Sequence, residues 1–281
     1  MIEFTKMEGL GNDYIYIDCI SNERNVNNIS ELAKFVSNRH FGIGSDGLIL
    51  LCKSEVADLK MRMFNSDGTE AEMCGNGIRC VGKLAYDKKI VAKEQITVET
   101  LAGIKKLKLH IEDRKVNLIT VDMGEPILEP RKIPVISDNN KLSIKKDGLD
   151  LDFTCVSMGN PHAITLVSNL DKINIEKYGP LLENDCHFPN KANIEFAQII
   201  DENHIKMRVW ERGAGETYAC GTGACATCVA CCVNGLTKRA VEIQLLGGNL
   251  QIEWNKENNH VYMTGPAKTI CKGEIEYDNN Q

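Results

Sequence analysis

"EAEMCGNGIRC" (residues 70–80) and "ETYACGTGACA" (residues 216–226) are one cysteine turn written twice. Each sets a glutamate four residues ahead of a cysteine and follows that cysteine with Gly-x-Gly: Glu70 with Cys74, Glu216 with Cys220. Beyond the first turn the chain runs GNGIRCVGKLAYDKK, and beyond the second GTGACATCVACCVNG; both read as helices entered through glycine. The second is built from small residues (Ala224, Cys225, Ala226, Cys228, Ala230, Cys231, Cys232) with hardly any charge. A helix lacking a polar face is buried on all sides. The expectation is two central helices, each enclosed by sheet and each opening on a Cys-Gly-x-Gly turn.

The echo extends outward. FTKMEGLGND (4–13) resembles FTCVSMGNPH (153–162), and FNSDGTEAEMC (64–74) matches WERGAGETYAC (210–220) in length and plan. The spacing is about half the chain, which indicates two copies of one unit in place of a solenoid of short repeats. DYIYIDCI, GLILLCK, KMRMF, QITVET and IKKLKLHIE read as strands in the first half. DFTCVSMG, HAITLV, ANIEFAQII, HIKMRVWE, AVEIQLLG, NLQIEW and HVYMTG do so in the second. NISELAKFVSNRHFG reads as a helix, with Asn28 or Ser30 as N-cap and Gly42 past its end. Pro126, Pro130 and Pro134 suit an extended crossing segment and place a boundary near 120–134.

Composition narrows the function. With 281 residues, 43% hydrophobic and 26% charged, the chain has enough apolar material for two modest domains. The net charge of −6, with Lys and Arg spread along the chain, argues against nucleic acid as a partner. The start has no basic region followed by an apolar run, and no apolar run has the length of a membrane span. A cytoplasmic protein is expected. Twelve cysteines in a reducing compartment are then buried small apolar side chains, metal ligands or reactive thiols.

The turn itself suggests chemistry. N–H groups at a helix start lack intrahelical partners and can bind a carboxylate. The positive end of the helix dipole favours a thiolate there, lowering its pKa from about 8.5. Glycine lets the main chain approach a ligand closely. Two such turns, facing each other across a cleft, would set an acid and a base on opposite sides of one carbon. One thiolate would remove an α-proton while the other thiol returns one to the opposite face, with the N–H groups stabilising the enolate-like charge. Such chemistry often uses pyridoxal phosphate, but a thiol pair needs no cofactor and nothing in the chain marks a pyridoxal site. A cofactor-free racemase or epimerase of a small-molecule substrate is expected.

At these residues the chain resembles the diaminopimelate epimerase family. The likeness runs through GLGNDY, FNSDGTEAEMCGNGIRC, GNPHAI, KANIEFAQ and RVWERGAGETYACGTGACA, in order over essentially the whole length. It implies an α/β (α+β) fold of two pseudo-symmetric domains, each a curled mixed β-sheet or barrel around a central helix. The first would comprise residues 1–119 plus 266–281, the second 120–265. It implies a two-thiol, cofactor-independent exchange of LL- and meso-diaminopimelate for lysine and peptidoglycan synthesis, and a homodimer. By motif, Cys74 and Cys220 would be the acid–base pair. Gly75, Asn76, Gly221 and Thr222 would hold the reacting carboxylate. Asn12, Asn65, Asn160, Asn193, Glu211 and Arg212 would contact the rest of the substrate, with His162 and Glu211 supporting catalysis. One departure stands out: Gly47 lies where some members carry a substrate-contacting glutamine.

Plainer readings compete. Cys19, Cys52, Cys155 and Cys271 lie in strand-like segments and are expected in the core; Cys80, Cys225, Cys228, Cys231 and Cys232 should pack the central helices. Cys220, Cys225 and Cys228 also fit a C-x4-C-x2-C iron–sulfur spacing, and Cys225, Cys228 and Cys231 a C-x2-C-x2-C one whose fourth ligand would fall at position 235; either would make an iron–sulfur or zinc protein instead. Against that, no cysteine occupies position 235, and the echo at Cys74 goes unexplained. His162 could be a hydrogen-bonded loop residue, Glu211 and Arg212 a surface ion pair, and Asn12 and Asn160 left-handed turn residues. Glu70 and Glu216 could orient the loop or sit in solvent. A racemase for another amino acid on the same scaffold is the nearest alternative.

Overall fold

The computed structural model describes residues 1–21 and 28–277. The chain divides into two compact units, Met1–Val121 with Gly265–Gln281, and Asp122–Thr264. Residues 278–281 of the expected first domain lie outside the described residues.

The first unit carries β1 (Ile2–Gly9), β2 (Asn12–Asp18), β3 (Gly47–Cys52), β4 (Leu59–Asn65), β5 (Glu70–Ala71), β6 (Gln95–Thr100), β7 (Gly103–Glu112) and β8 (Lys115–Asp122), with helices α1 (Ile29–Ser37) and α2 (Gly75–Asp87). β1 and β2 are antiparallel, β2 and β3 parallel, β3 and β4 antiparallel. β4 then pairs antiparallel with β5 and parallel with β6, and β6–β7–β8 continue antiparallel.

The second unit carries β9 (Lys141–Lys146), β10 (Leu149–Ser157), β11 (Pro161–Leu166), β12 (Asn193–Asp201), β13 (His204–Glu211), β14 (Gly215–Glu216), β15 (Ala240–Leu245), β16 (Gly248–Trp254) and β17 (Val261–Pro266), with helices α3 (Ile175–Glu183) and α4 (Gly221–Val233). From β10 to β17 every pairing of β1 to β8 recurs in the same order and sense. β9 flanks β10, and the last strand, β18 (Lys268–Ile275), flanks β1 in the same antiparallel way. Registers match too: Tyr14 lies opposite Gly47 as His162 lies opposite Asn193.

Each central helix lies in the curl of its own sheet. α2 packs against β1, β2, β3 and β7; α4 packs against β10, β11, β12, β15 and β16. α1 packs on β2, β3 and β4, joining Leu32, Ala33 and Val36 to Ile15, Ile17, Leu48, Leu50 and Phe64. β3 is thus covered on both faces, which is why its sequence is a continuous apolar run without polar alternation. α3 covers β12 and β13 similarly, with Ile175 and Leu182 against Ile194 and Phe196.

Several expectations need correcting. Asn28 stands before α1, but with φ 53° and no side-chain cap bond, and the helix closes at Asn38. The proline-rich crossing is not extended throughout: Ile127 bridges to Ser157, then Pro130–Lys132 tightens into a 3-10 turn. The left-handed conformation before Asn12 and Asn160 belongs to Gly11 (φ 86°) and Gly159 (φ 98°), where no Cβ opposes it. Cys271 lies in a strand but is exposed, because β18 turns its side chains to solvent; Cys19 and Cys52 are only half-buried.

Candidate active site

Both cysteines of the repeated turn are helix N-caps. Cys74 (φ −120°, ψ 121°) and Cys220 (φ −116°, ψ 110°) have extended backbones, and each Sγ accepts the N–H three residues on. Gly77 N–H lies 3.3 Å from Cys74 Sγ and Gly223 N–H 3.4 Å from Cys220 Sγ. The sulfur takes the place usually held by a serine or aspartate oxygen. The first-turn N–H groups of either helix have no intrahelical acceptor and point along the positive end of the dipole.

The hairpin ahead of each cysteine is clamped. Arg62 grips Glu70 with two bonds of 2.8 and 3.0 Å, and Arg208 grips Glu216 with two of 2.7 and 3.0 Å. Glu70 and Glu216 therefore hold the loops, each carboxylate paired with its arginine.

Around Cys220 the surroundings are ionisable and buried. His162, fully buried, shares Nδ1 with Glu195 Oε1 at 2.6 Å and Nε2 with Asn160 Oδ1 at 3.0 Å. Donor atoms of His162, Glu195 and Cys220 lie within 4.8 Å of one another. Glu195 Oε2 is buried with no hydrogen-bond partner among the described residues. Glu211 accepts from Thr217 Oγ1, and Thr222 Oγ1 lies 3.5 Å from Cys220 Sγ. Burial pushes the Cys220 thiol well above its ordinary pKa, and the carboxylates of Glu211 and Glu195 push it further. The expected lowering by the helix dipole is outweighed here. Burial also raises the Glu211 carboxyl.

Cys74 is half-buried. Its thiol donates to Asn12 Oδ1 at 3.1 Å, while Asn12 Nδ2 donates to Asp46 Oδ2 at 2.8 Å. Asp46 is in turn fixed by Arg39 at 2.9 Å, so a chain of polar contacts sets the asparagine that faces the sulfur. The buried Tyr14 phenol is raised well above its ordinary pKa, first by burial and then by Cys74. A Cβ on Gly47 would come within 2.2 Å of Phe64 O and 2.8 Å of Tyr14 Cε1, so no side chain fits there.

Other expected residues fall as follows. Gly75, Asn76, Gly221 and Thr222 form the first turns of α2 and α4; the Asn76 side chain is buried and bonded to Arg79. Asn65 closes β4 and donates to Thr69 Oγ1 at 3.1 Å. Asn193 is buried, donating to Pro161 O and accepting the Arg212 N–H, each at 2.9 Å. The exposed Arg212 guanidinium donates to Asn190 O, so Glu211 and Arg212 have separate partners. Glu195, Thr217, Asp46 and Arg39 were not singled out in the sequence. Only Glu195 left a signal, as a lone carboxylate inside the apolar run NIEFA.

The iron–sulfur reading is not supported: Cys220, Cys225 and Cys228 are not gathered into a ligand cluster among the described residues. Cys225, Cys228 and Cys231 are buried along α4, as expected of packing residues.

The fold is shared with solved structures of low sequence identity. A phenazine biosynthesis protein of the PhzF family from Bacillus anthracis matches with a TM-score of 0.70 and 19% identity, covering 98% of this chain and 99% of that one. A probable proline racemase from Agrobacterium radiobacter matches with a TM-score of 0.69 and 13% identity, covering 99% and 94%. The family model for diaminopimelate epimerase matches residues 4–129 and 154–270. A diaminopimelate epimerase of Methanococcus maripaludis is 59% identical over 98% of this chain and 100% of its own. One of Acetivibrio thermocellus is 58% identical, covering 98% and 99%. The chain belongs to the diaminopimelate epimerase family and is an isomerase. Among the described residues no helix is long and apolar enough to cross a membrane.

Proposed function

We propose that the enzyme interconverts LL- and meso-diaminopimelate without a cofactor, supplying lysine and peptidoglycan precursors in the cytoplasm as a homodimer. One of Cys74 and Cys220 removes the α-proton as thiolate, and the other, as thiol, delivers a proton to the opposite face. The observation that carries this reading is the duplicated cysteine N-cap: two like sulfurs, each beside first-turn N–H groups suited to a carboxylate. Gly75, Asn76, Gly221 and Thr222 bind the reacting carboxylate and stabilise the developing charge. Asn12, Asn65, Asn160, Asn193, Glu211 and Arg212 hold the remaining ends, with Arg212 suited to the distal carboxylate. His162 and Glu211 set the electrostatics beside Cys220. The test is α-hydrogen exchange in deuterated water with LL-diaminopimelate, beside a panel of amino acids with one stereocentre. Exchange of diaminopimelate alone is expected; exchange restricted to the panel would transfer the activity to another substrate.

A further inference from the structure

Cys19 follows β2 and Cys52 ends β3. These strands are parallel, with Asp18 opposite Leu51, and the Cys19 N–H extends the ladder to Leu51 O at 2.9 Å. Continuing that ladder one step sets the two cysteines opposite each other on adjacent strands, which generally lie about 4.8 Å apart. A disulfide spans Cα separations of about 4.4–6.8 Å. Both thiols are free and half-buried, and each bears on the other's ionisation.

The corner is asymmetric. Lys60 lies opposite Cys52 in the β3–β4 register, and Arg62 is close to both sulfurs. The neighbouring Cys19 thiol, together with Arg62 and Lys60, holds Cys52 below its ordinary pKa, while Cys52 and burial push Cys19 up. Lys60, opposite Cys52 in the ladder, favours a thiolate at that sulfur and so makes Cys52 the one to attack and Cys19 the one to resolve.

The second unit is a built-in control. Its equivalent corner repeats the ladder, Val167 N–H to Ala197 O at 2.9 Å, but carries Val167 and Gln198 where the first has the cysteines. Gln198 Oε1 there accepts the Leu170 N–H at 3.2 Å. The fold does not require sulfur at this place.

We propose that Cys19 and Cys52 form an oxidisable dithiol site whose substrate is a low-molecular-weight disulfide of the glutathione class. Cys52 thiolate attacks one sulfur of that disulfide, expelling a thiolate and forming a mixed disulfide. Cys19 gives its proton to solvent, and its sulfur attacks Cys52 Sγ, expelling the second thiolate. Two protein thiols are oxidised to one disulfide while one small disulfide is reduced to two thiols. The bond joins β2 to β3 beside Arg62, the residue that clamps Glu70 ahead of Cys74.

The test treats the full chain with oxidised glutathione, alkylates remaining thiols and maps peptides by mass spectrometry without reduction. A Cys19–Cys52 linked peptide two hydrogens lighter is expected, with alkylation of both residues falling about tenfold or more and recovering in dithiothreitol. Cys19→Val should trap one glutathione on Cys52, whereas Cys52→Gln should leave Cys19 alkylatable. Full alkylation of both cysteines while Cys186 and Cys271 take up glutathione overturns the proposal. So does linkage of other cysteines in their place, or an unresolved mixed disulfide on Cys52 of the unaltered chain.

Discussion

The Cys74 and Cys220 units share one chain path and differ in what they set beside the sulfur. Tyr14 in one takes the register position of His162 in the other. Two residues along the next strand, Ile49 in β3 corresponds to Glu195 in β12. Each presses on the second glycine of its turn: a Cβ on Gly77 would meet Ile49 Cδ1 at 2.7 Å, and one on Gly223 would meet Glu195 Oε1 at 2.6 Å. The backbone was duplicated, but the side chains facing the sulfur were not: Tyr14 and Ile49 stand where the other unit has His162 and Glu195. A helix start alone therefore does not fix a thiol's charge; the strand side chains facing it decide.

The largest effect that would break this comparison is loss of either sulfur. Cys74→Ala or Cys220→Ala should each lower LL-to-meso interconversion by about 10²–10⁴-fold, the usual worth of an acid–base group. Full turnover by one variant would make that half a mere copy of the scaffold.

Next comes the pH dependence of Cys220. Its alkylation should rise only above the ordinary thiol range of about 8.5, and Glu211→Gln should move the midpoint down, because removing a negative charge favours the thiolate. The sign carries to stability. A thiol whose folded pKa is raised contributes fully below its unfolded pKa, and that contribution is lost as pH rises towards the folded value. Cys220→Ala should therefore flatten the alkaline fall in stability measured by denaturant titration. An unshifted midpoint in Glu211→Gln would sever the carboxylate from the sulfur.

The glycines sharpen the contrast further. Gly223→Ala should cost about 1–3 kcal/mol by overpacking against a buried carboxylate, and Gly77→Ala less, since a flexible isoleucine tip can yield. Equal losses in urea melts would contradict that ordering. Smallest should be the clamps: Glu216→Gln about 1 kcal/mol or less, and Glu70→Gln smaller still, because the Arg62–Glu70 pair is more exposed.

Much of this was legible in the sequence because local pattern and tertiary role agreed. QITVET and HIKMRVWE are β6 and β13 to the residue, and the Cys-Gly-x-Gly turns gave both central helices. α3 was hidden by Gly179 and Pro180, whose adjacency reads as a break. Gly179 is there because a Cβ would lie 2.3 Å from the Trp210 ring. β18 escaped because lysine, cysteine and glutamate face solvent along it, so no apolar alternation marks it. In the site, Cys74 and Cys220 stood out by repetition. The chain Arg39–Asp46–Asn12 did not, because its members meet through tertiary packing that no local spacing encodes.

The most direct measurement follows isotope at the α-carbon. LL-diaminopimelate is converted in deuterated water, and both isomers are analysed after a small fraction of one turnover equilibrium. Two sulfurs acting on opposite faces should put deuterium into the newly formed meso isomer and leave the recovered LL isomer almost unlabelled. Deuterium appearing equally in both from the outset would mean a single group serving both faces, and the paired roles of Cys74 and Cys220 would fall.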